Sequence, residues 1–201
     1  NYATVSSLSD VGGIVGRGYY TVESNNNYAD IVGTRYVGGI VGYGSAKNCG
    51  NSGNITCTEG NYTGGISGNG TAKYCYNTGN ITSSGGYTAG ILGYGDAEYC
   101  YNTGSVNSDK YHVGGIVGCG NAKNSYNTAD ICGYGYVGGV CGDGSVYSSY
   151  NIGDVVATYQ YSHAGALTGD RYNTVSNSYY LDTVSVTSGY DAIVEGVMVD
   201  S

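Results

Sequence analysis

The 201-residue chain has no proline, no phenylalanine and no tryptophan, and it carries only two histidines and one methionine. With proline at 0 and glycine at 38, neither a collagen helix nor a Pro/Gly-rich disordered tract fits. Charge is scarce as well, at 11% of residues, whereas hydrophobic residues reach 40%; disordered chains show the reverse balance, so a folded protein is expected. Only seven residues are Lys or Arg and the net charge is −8, which leaves no basic patch for nucleic acid. No apolar run approaches the roughly 18 residues that suggest a membrane span, and no signal peptide is visible. Asn1 in place of Met suggests a processed form or an excised fragment.

What is abundant is one phrase. "VGGIVGRG" (11–18), "VGGIVGYG" (37–44), "TGGISGNG" (63–70), "TAGILGYG" (88–95), "VGGIVGCG" (113–120) and "VGGVCGDG" (137–144) repeat, then decay to "HAGALTGD" (163–170). The second small residue falls at Gly13, Gly39, Gly65, Gly90, Gly115, Gly139 and Gly165, in steps of 24 to 26. A second anchor keeps the same step: Asn1, Asn27, Asn51, Asn77, Asn102, Asn127, Asn151 and Asn177. Two anchors with one period define an array.

Aligned on these anchors, three columns read as inward-facing. One holds Val5, Ile31, Ile55, Ile81, Val106, Ile131, Val155 and Leu181. Another holds Ile14, Ile40, Ile66, Ile91, Ile116, Val140 and Ala166, and the third Val22, Ala46, Ala72, Ala97, Ala122 and Val146. Apolar and small residues alternate with period two and turn signals intervene about every dozen residues, which favours short strands over helices. The expected fold is therefore all-β: a parallel β-solenoid, or β-helix, of about eight rungs of ~25 residues. Rungs ~4.8 Å apart would stack into a rod of roughly 40 Å. The Asn column would form an amide ladder, and the glycines would supply positive φ at corners, Gly42 and Gly44 among them, and close backbone approach. Residues 1–181 belong to the array; 182–201, with a faint echo in "GYDAIVEG", form a degenerate last rung, a cap or the start of a following segment.

The unit "YVGGIVGYGSAKNCGNSGNIT" (36–56) resembles the GLUG repeat, with its trailing Asn-x-x-Gly-Asn/Asp-aliphatic segment. The likeness extends from Val11 to about Leu181, and "SNSYYLDT" (176–183) is similar to the way such arrays finish. Repeats of that family occur in large bacterial surface and secreted proteins, including adhesin-like proteins and non-catalytic regions of IgA-cleaving metallopeptidases. The resemblance implies a solenoid spacer or adhesive region, and it carries over no catalytic residue. His163 in place of Val/Thr and Thr168 in place of Gly depart from the pattern.

Chemistry-bearing motifs are sparse. The glycine phrase lacks the Gly-Lys-Ser/Thr of a phosphate loop and recurs too often to be a single site. Cys49, Cys75 and Cys100 share a column with Ser125 and Ser149, so reduced thiols in a tight interior slot are expected. No CxxC pair occurs, so no zinc site or other cofactor is expected. Asp30, Asp130 and Asp154 share a column with Asn54 and Asn80, which reads as structural rather than catalytic. Glu23, Lys47, Lys73, Glu98 and Lys123 form a solvated charged column. Tyrosines form two columns: Tyr76, Tyr101, Tyr126 and Tyr150 before the Asn, and Tyr36, Tyr62, Tyr87 and Tyr136 before the glycine phrase, where His112 takes one place. These rings either stack to shield the turns or offer a platform to a sugar or partner.

The leading expectation is a non-enzymatic extracellular or cell-surface β-solenoid of a bacterial protein: a stalk, an adhesin segment or a filament subunit. The alternative is a carbohydrate-binding module that uses the tyrosine columns. Expected partners are a glycan, a surface protein of a host or neighbouring cell, or a second copy stacked head to tail, since Asn177 plus 25 residues would bring another chain's Asn1 into phase. Nucleic acid, membrane insertion and catalysis are not expected.

Overall fold

In the computed structural model, which describes residues 1–193 and 196–199, the chain winds through five parallel sheets and forms a β-solenoid of about eight turns. One rung shows the path: Ile81–Ser83 lies in sheet A, Thr88–Ala89 in B, Leu92–Tyr94 in C, Ala97–Glu98 in D and Tyr101–Asn102 in E. Each strand pairs with its equivalents one rung before and after, for example Ile55↔Ile81↔Val106 and Asn77↔Asn102↔Asn127. Strands this short cannot stand alone; they persist because their backbone groups pair with the turns before and after.

The interior holds two hydrophobic columns rather than one. Ile31, Val37, Ile55 and their equivalents fill the space between sheets A and B. Ile40, Val41, Ala46, Cys49 and their equivalents fill the space enclosed by C, D and E. The wall between them is backbone. A Cβ on Gly38 would lie 2.1 Å from the Val41 carbonyl oxygen, and one on Gly42 would lie 2.6 Å from that of Tyr36. The phrase "VGGIVG" thus folds two strands back to back, with Val37 facing one core and Ile40 and Val41 the other. Gly42 does not turn a corner; it permits this contact. Gly44 does turn one, at φ 145°.

The two sequence anchors prove to be a single contact. Each buried Asn donates from Nδ2 to the next Asn Oδ1 at 2.8 Å, from Asn27 without a break to Asn151. Each also donates to the carbonyl two residues ahead, as Asn77 does to Gly79 at 2.7 Å, so both amide protons are used. The second glycine of the phrase lies against this ladder. A Cβ on Gly39 would meet Asn51 Cγ at 2.4 Å, and one on Gly90 would meet Asn102 Cγ at 2.2 Å. The glycine and the Asn share a period because they touch.

The final rungs differ from the sequence alignment in three places, all caused by longer loops. His163 pairs with Tyr136 and Ala164 with Val137, so the phrase starts at Ala164 and the alignment had begun the seventh rung one residue early. Leu167, not Ala166, fills the isoleucine column: Val140 and Cys141 both donate to its carbonyl. Thr168 bridges Cys141, so it occupies the Val41 column, and Gly169 supplies the glycine that had looked lost. Asn151 pairs with Tyr180, so the amide ladder stops at Asn151; Asn177 sits at a left-handed corner instead, with φ 49°. Val155 pairs with Val186, which displaces Leu181 from the sheet A column. Ala166 faces the rung where Asn has given way to Tyr180, so glycine and its amide partner disappear together. Past residue 181, Val186–Thr187 and Asp191–Ile193 extend sheets A and B, and Val197–Val199 pairs with Tyr179–Leu181. Val194, Glu195, Asp200 and Ser201 of that segment lie outside the described residues.

Candidate functional site

The predicted tyrosines form two separate aromatic ladders. Tyr76, Tyr101, Tyr126 and Tyr150 stack on sheet E with centroids 4.9–5.3 Å apart and planes within 10°. Gly50 makes room at one end, where the Tyr76 ring leans over it and its hydroxyl reaches Asn26. At the corner between sheets A and B, Tyr36, Tyr62, Tyr87, His112, Tyr136 and His163 stack at 4.9–5.4 Å. Tyr43 and Tyr94 meet this second ladder edge-on. No ring pair joins the two ladders among the described residues. In both, ring faces cover one another and the edges are left to solvent.

The corner ladder has an unexpected backbone. Tyr36, Tyr62, Tyr87 and His112 are left-handed, with φ from 49° to 73°. The same holds at the D–E corner for Ser24, Asn48, Tyr74, Tyr99, Asn124, Ser148 and Asn177. Glycine serves positive φ only at the C–D corner among the six complete rungs, through Gly44, Gly70, Gly95, Gly120 and Gly144. A side chain in this region costs about 1 kcal/mol or more, so something must hold it there.

At the D–E corner the holding group is the residue that follows. Cys49, Cys75 and Cys100 donate to the carbonyl two residues back at 3.2–3.4 Å; Ser125, Ser149 and Ser178 do the same at 2.8–2.9 Å. Asn25 does so with its amide. The column therefore selects a short side chain with a donor, which is why thiol, hydroxyl and amide interchange. The cysteines are free and Cys49, Cys75, Cys100, Cys57 and Cys141 are buried. The Cys49 thiol is pushed up by its neighbour Cys75 and by burial, and burial does the same to Cys141; such thiols are poor nucleophiles.

Carboxylates have structural partners too. Asp30 Oδ1 accepts the Asn54 N–H, Asn54 Oδ1 that of Asn80, and Asn80 Oδ1 that of Ser105; Asp130 and Asp154 repeat the pattern further along. Lys73 and Glu98 pair at 2.7 Å on an exposed face, a contact of small energetic weight. His112 is held below the usual imidazole value by burial, partly opposed by Asp143 and Asp170. Its Nδ1 is buried without a hydrogen bond, 3.7 Å from Asp143 Oδ2. No cluster of three or more metal-ligating side chains occurs among the described residues.

Outside the ladders lies a surface that the column reading took only as a solvated charged face. A groove of about 450 Å³ runs along sheet D and its corner with C, lined by Thr71, Lys73, Asp96, Glu98, Asn121 and Tyr147. A second hollow, of about 330 Å³ and walled by Tyr19, Tyr20 and Tyr43, reaches Gly70, the residue before Thr71 of the first. Its signal was in the spacing. Between Gly18 and Val22 stand Tyr19, Tyr20 and Thr21, where other rungs hold a single residue such as Ser45.

No family model, curated protein or solved structure matches the chain.

Proposed function

We propose that this chain is a non-enzymatic rod segment of an extracellular or cell-surface protein, serving as a stalk or adhesive arm. The observation that supports it is the use of the repeated polar residues. Amide, hydroxyl, thiol and carboxylate columns each bond to a neighbouring rung or to their own corner, and the aromatic columns stack on themselves. Side chains spent in this way build stiffness along one axis. The composition agrees: polar, poor in charge and acidic.

The GLUG-like phrase supports the same reading through its resemblance to surface and secreted repeat proteins. Head-to-tail stacking loses the phase argument drawn from Asn177, since that residue is off the amide ladder. Single-molecule pulling between the chain ends tests the mechanical role. A stalk should lengthen in steps of one rung, each releasing ~25 residues or roughly 80 Å of chain, at forces well above those that extend a disordered linker. Smooth extension at low force would contradict it.

A further inference from the structure

We propose that the groove along the C–D corner, from Tyr20 to Tyr147, binds a linear, uncharged polysaccharide. The inference deepens the adhesive part of the function proposed above and rests on it for the location of the partner; the groove itself stands on its own geometry.

The tyrosine ladders are poorly suited to hold a sugar chain, because a sugar stacks on a ring face and those faces are covered. The groove offers free ones. Tyr19 and Tyr20 are each 89% exposed on a two-residue insertion in the first rung, and neither has a ring partner among the described residues. At the far end, Tyr147 follows Glu23, Lys47, Lys73, Glu98 and Lys123 in the outward column of sheet D and closes the groove with a ring. Tyr20 and Tyr147 stand five rungs apart, roughly 24 Å at ~4.8 Å per step. An aromatic ring at each end supplies amphipathic contact over few rotatable bonds.

Between the rings, the outward side chains are polar and balanced in charge. Lys73 and Lys123 oppose Asp96 and Glu98. Asp96 Oδ1 accepts both Asn121 N–H groups, backbone and side chain, and Asp96 Oδ2 has no bond among the described residues. The Thr71 hydroxyl, on the wall of one hollow, bonds to that of Ser45, on the wall of the other, at 2.9 Å. The floor between these side chains is strand backbone, since the Ala72 and Ala97 methyl groups are buried in the core. A polyanion would be opposed by a chain of net charge −8 and would find no net positive charge here. A peptide strand would find no open sheet edge, since Ala72 and Ala97 already donate to the next rung. An extended polyhydroxyl chain matches both the length and the chemistry.

The test is titration calorimetry of the full chain with cello-, xylo-, manno- and chitohexaose, with heparin and a Ser/Gly hexapeptide as controls. Tyr20→Ala and Tyr147→Ala are compared with Tyr101→Ala, which removes a ladder ring away from the groove. Saturable binding of at least one neutral hexaose is expected, weakened about tenfold by each groove variant and unchanged by Tyr101→Ala. Absence of binding by all four sugars at millimolar concentration would overturn the proposal. So would binding confined to heparin or peptide, or binding lost only in Tyr101→Ala. Melting of the same variants separates this outcome from the rod reading: a folded rod that ignores sugars removes the groove proposal alone.

Discussion

At the scale of single residues, the fold is governed by places where only one kind of atom fits. Gly90 is one of them. A methyl there would press on Asn102 Cγ at 2.2 Å and on the Gly115 carbonyl at 2.3 Å. Gly90→Ala should therefore cost about 2–3 kcal/mol, read as a fall in the denaturant midpoint. Ala89, one residue earlier, stands in the column of Gly38 and Gly64 with its methyl already accommodated at that rung, so the adjacent Ala89→Gly should cost far less. The cysteine column gives a second prediction. Cys75→Ser keeps the donor to the Lys73 carbonyl and should melt within a degree or two of the parent, whereas Cys75→Val loses it and should cost about 1–2 kcal/mol. In the native state, a thiol reagent should modify Cys119 and Cys132 first, since these are the two that are not buried; fast labelling of all seven would contradict the burial assigned here.

At the scale of a column, energies couple along the axis. Asn102→Ala leaves Asn77 without its acceptor and Asn127 Oδ1 without its donor, at about 2–4 kcal/mol. Asn102→Asp should be worse, because a carboxylate has no proton for Gly104 or Asn127; a column that merely filled volume would give the reverse order. The corner ladder adds a pH effect through His112. Its folded value lies below the ordinary imidazole value of about 6.5, so its neutral form is the one the fold favours. That contribution is complete above the ordinary value and is lost as pH falls from there towards the folded value. Thermal stability should therefore drop as pH falls below about 6.5. His112→Tyr, which makes the stack uniform, should remove that part of the slope while leaving the steeper acid limb set by carboxylates.

Much of this element-level order was legible from sequence, because periodic columns report which residues share a face. Ile40, Ile66, Ala72 and the Asn series from Asn27 to Asn151 are buried as the alignment required; Asn1 and Asn177, at its two ends, are not. What the period does not report is which columns touch. Gly39 and Asn51 lie 12 residues apart, half a turn, and meet only because the chain folds back across the interior of the same rung. Nor could it place left-handed tyrosines, since nothing in "NYTGG" distinguishes Tyr62 in that conformation from Tyr76 in a strand. The slip at the seventh rung has a local cause. The loop between Ala157 and His163 is longer than its predecessors, yet "HAGALTGD" still resembles the motif one residue out of place. The groove escaped for the opposite reason: its residues differ from rung to rung, and column reading rewards sameness.

At the scale of the whole molecule, the central claim is that sequence distance becomes axial distance at a fixed rate, one rung per ~25 residues. Glu23, Lys47, Lys73, Glu98, Lys123 and Tyr147 lie in one outward column of sheet D, paired rung to rung. Spin labels introduced there through non-natural amino acids leave the native cysteines untouched. Electron paramagnetic resonance distances from position 23 to positions 98, 123 and 147 should rise in equal steps of ~4.8 Å, to roughly 24 Å at the last. Distances that fail to rise in step with the rung count, or that spread as broadly as those of a flexible chain, would contradict the ladder and everything built on it.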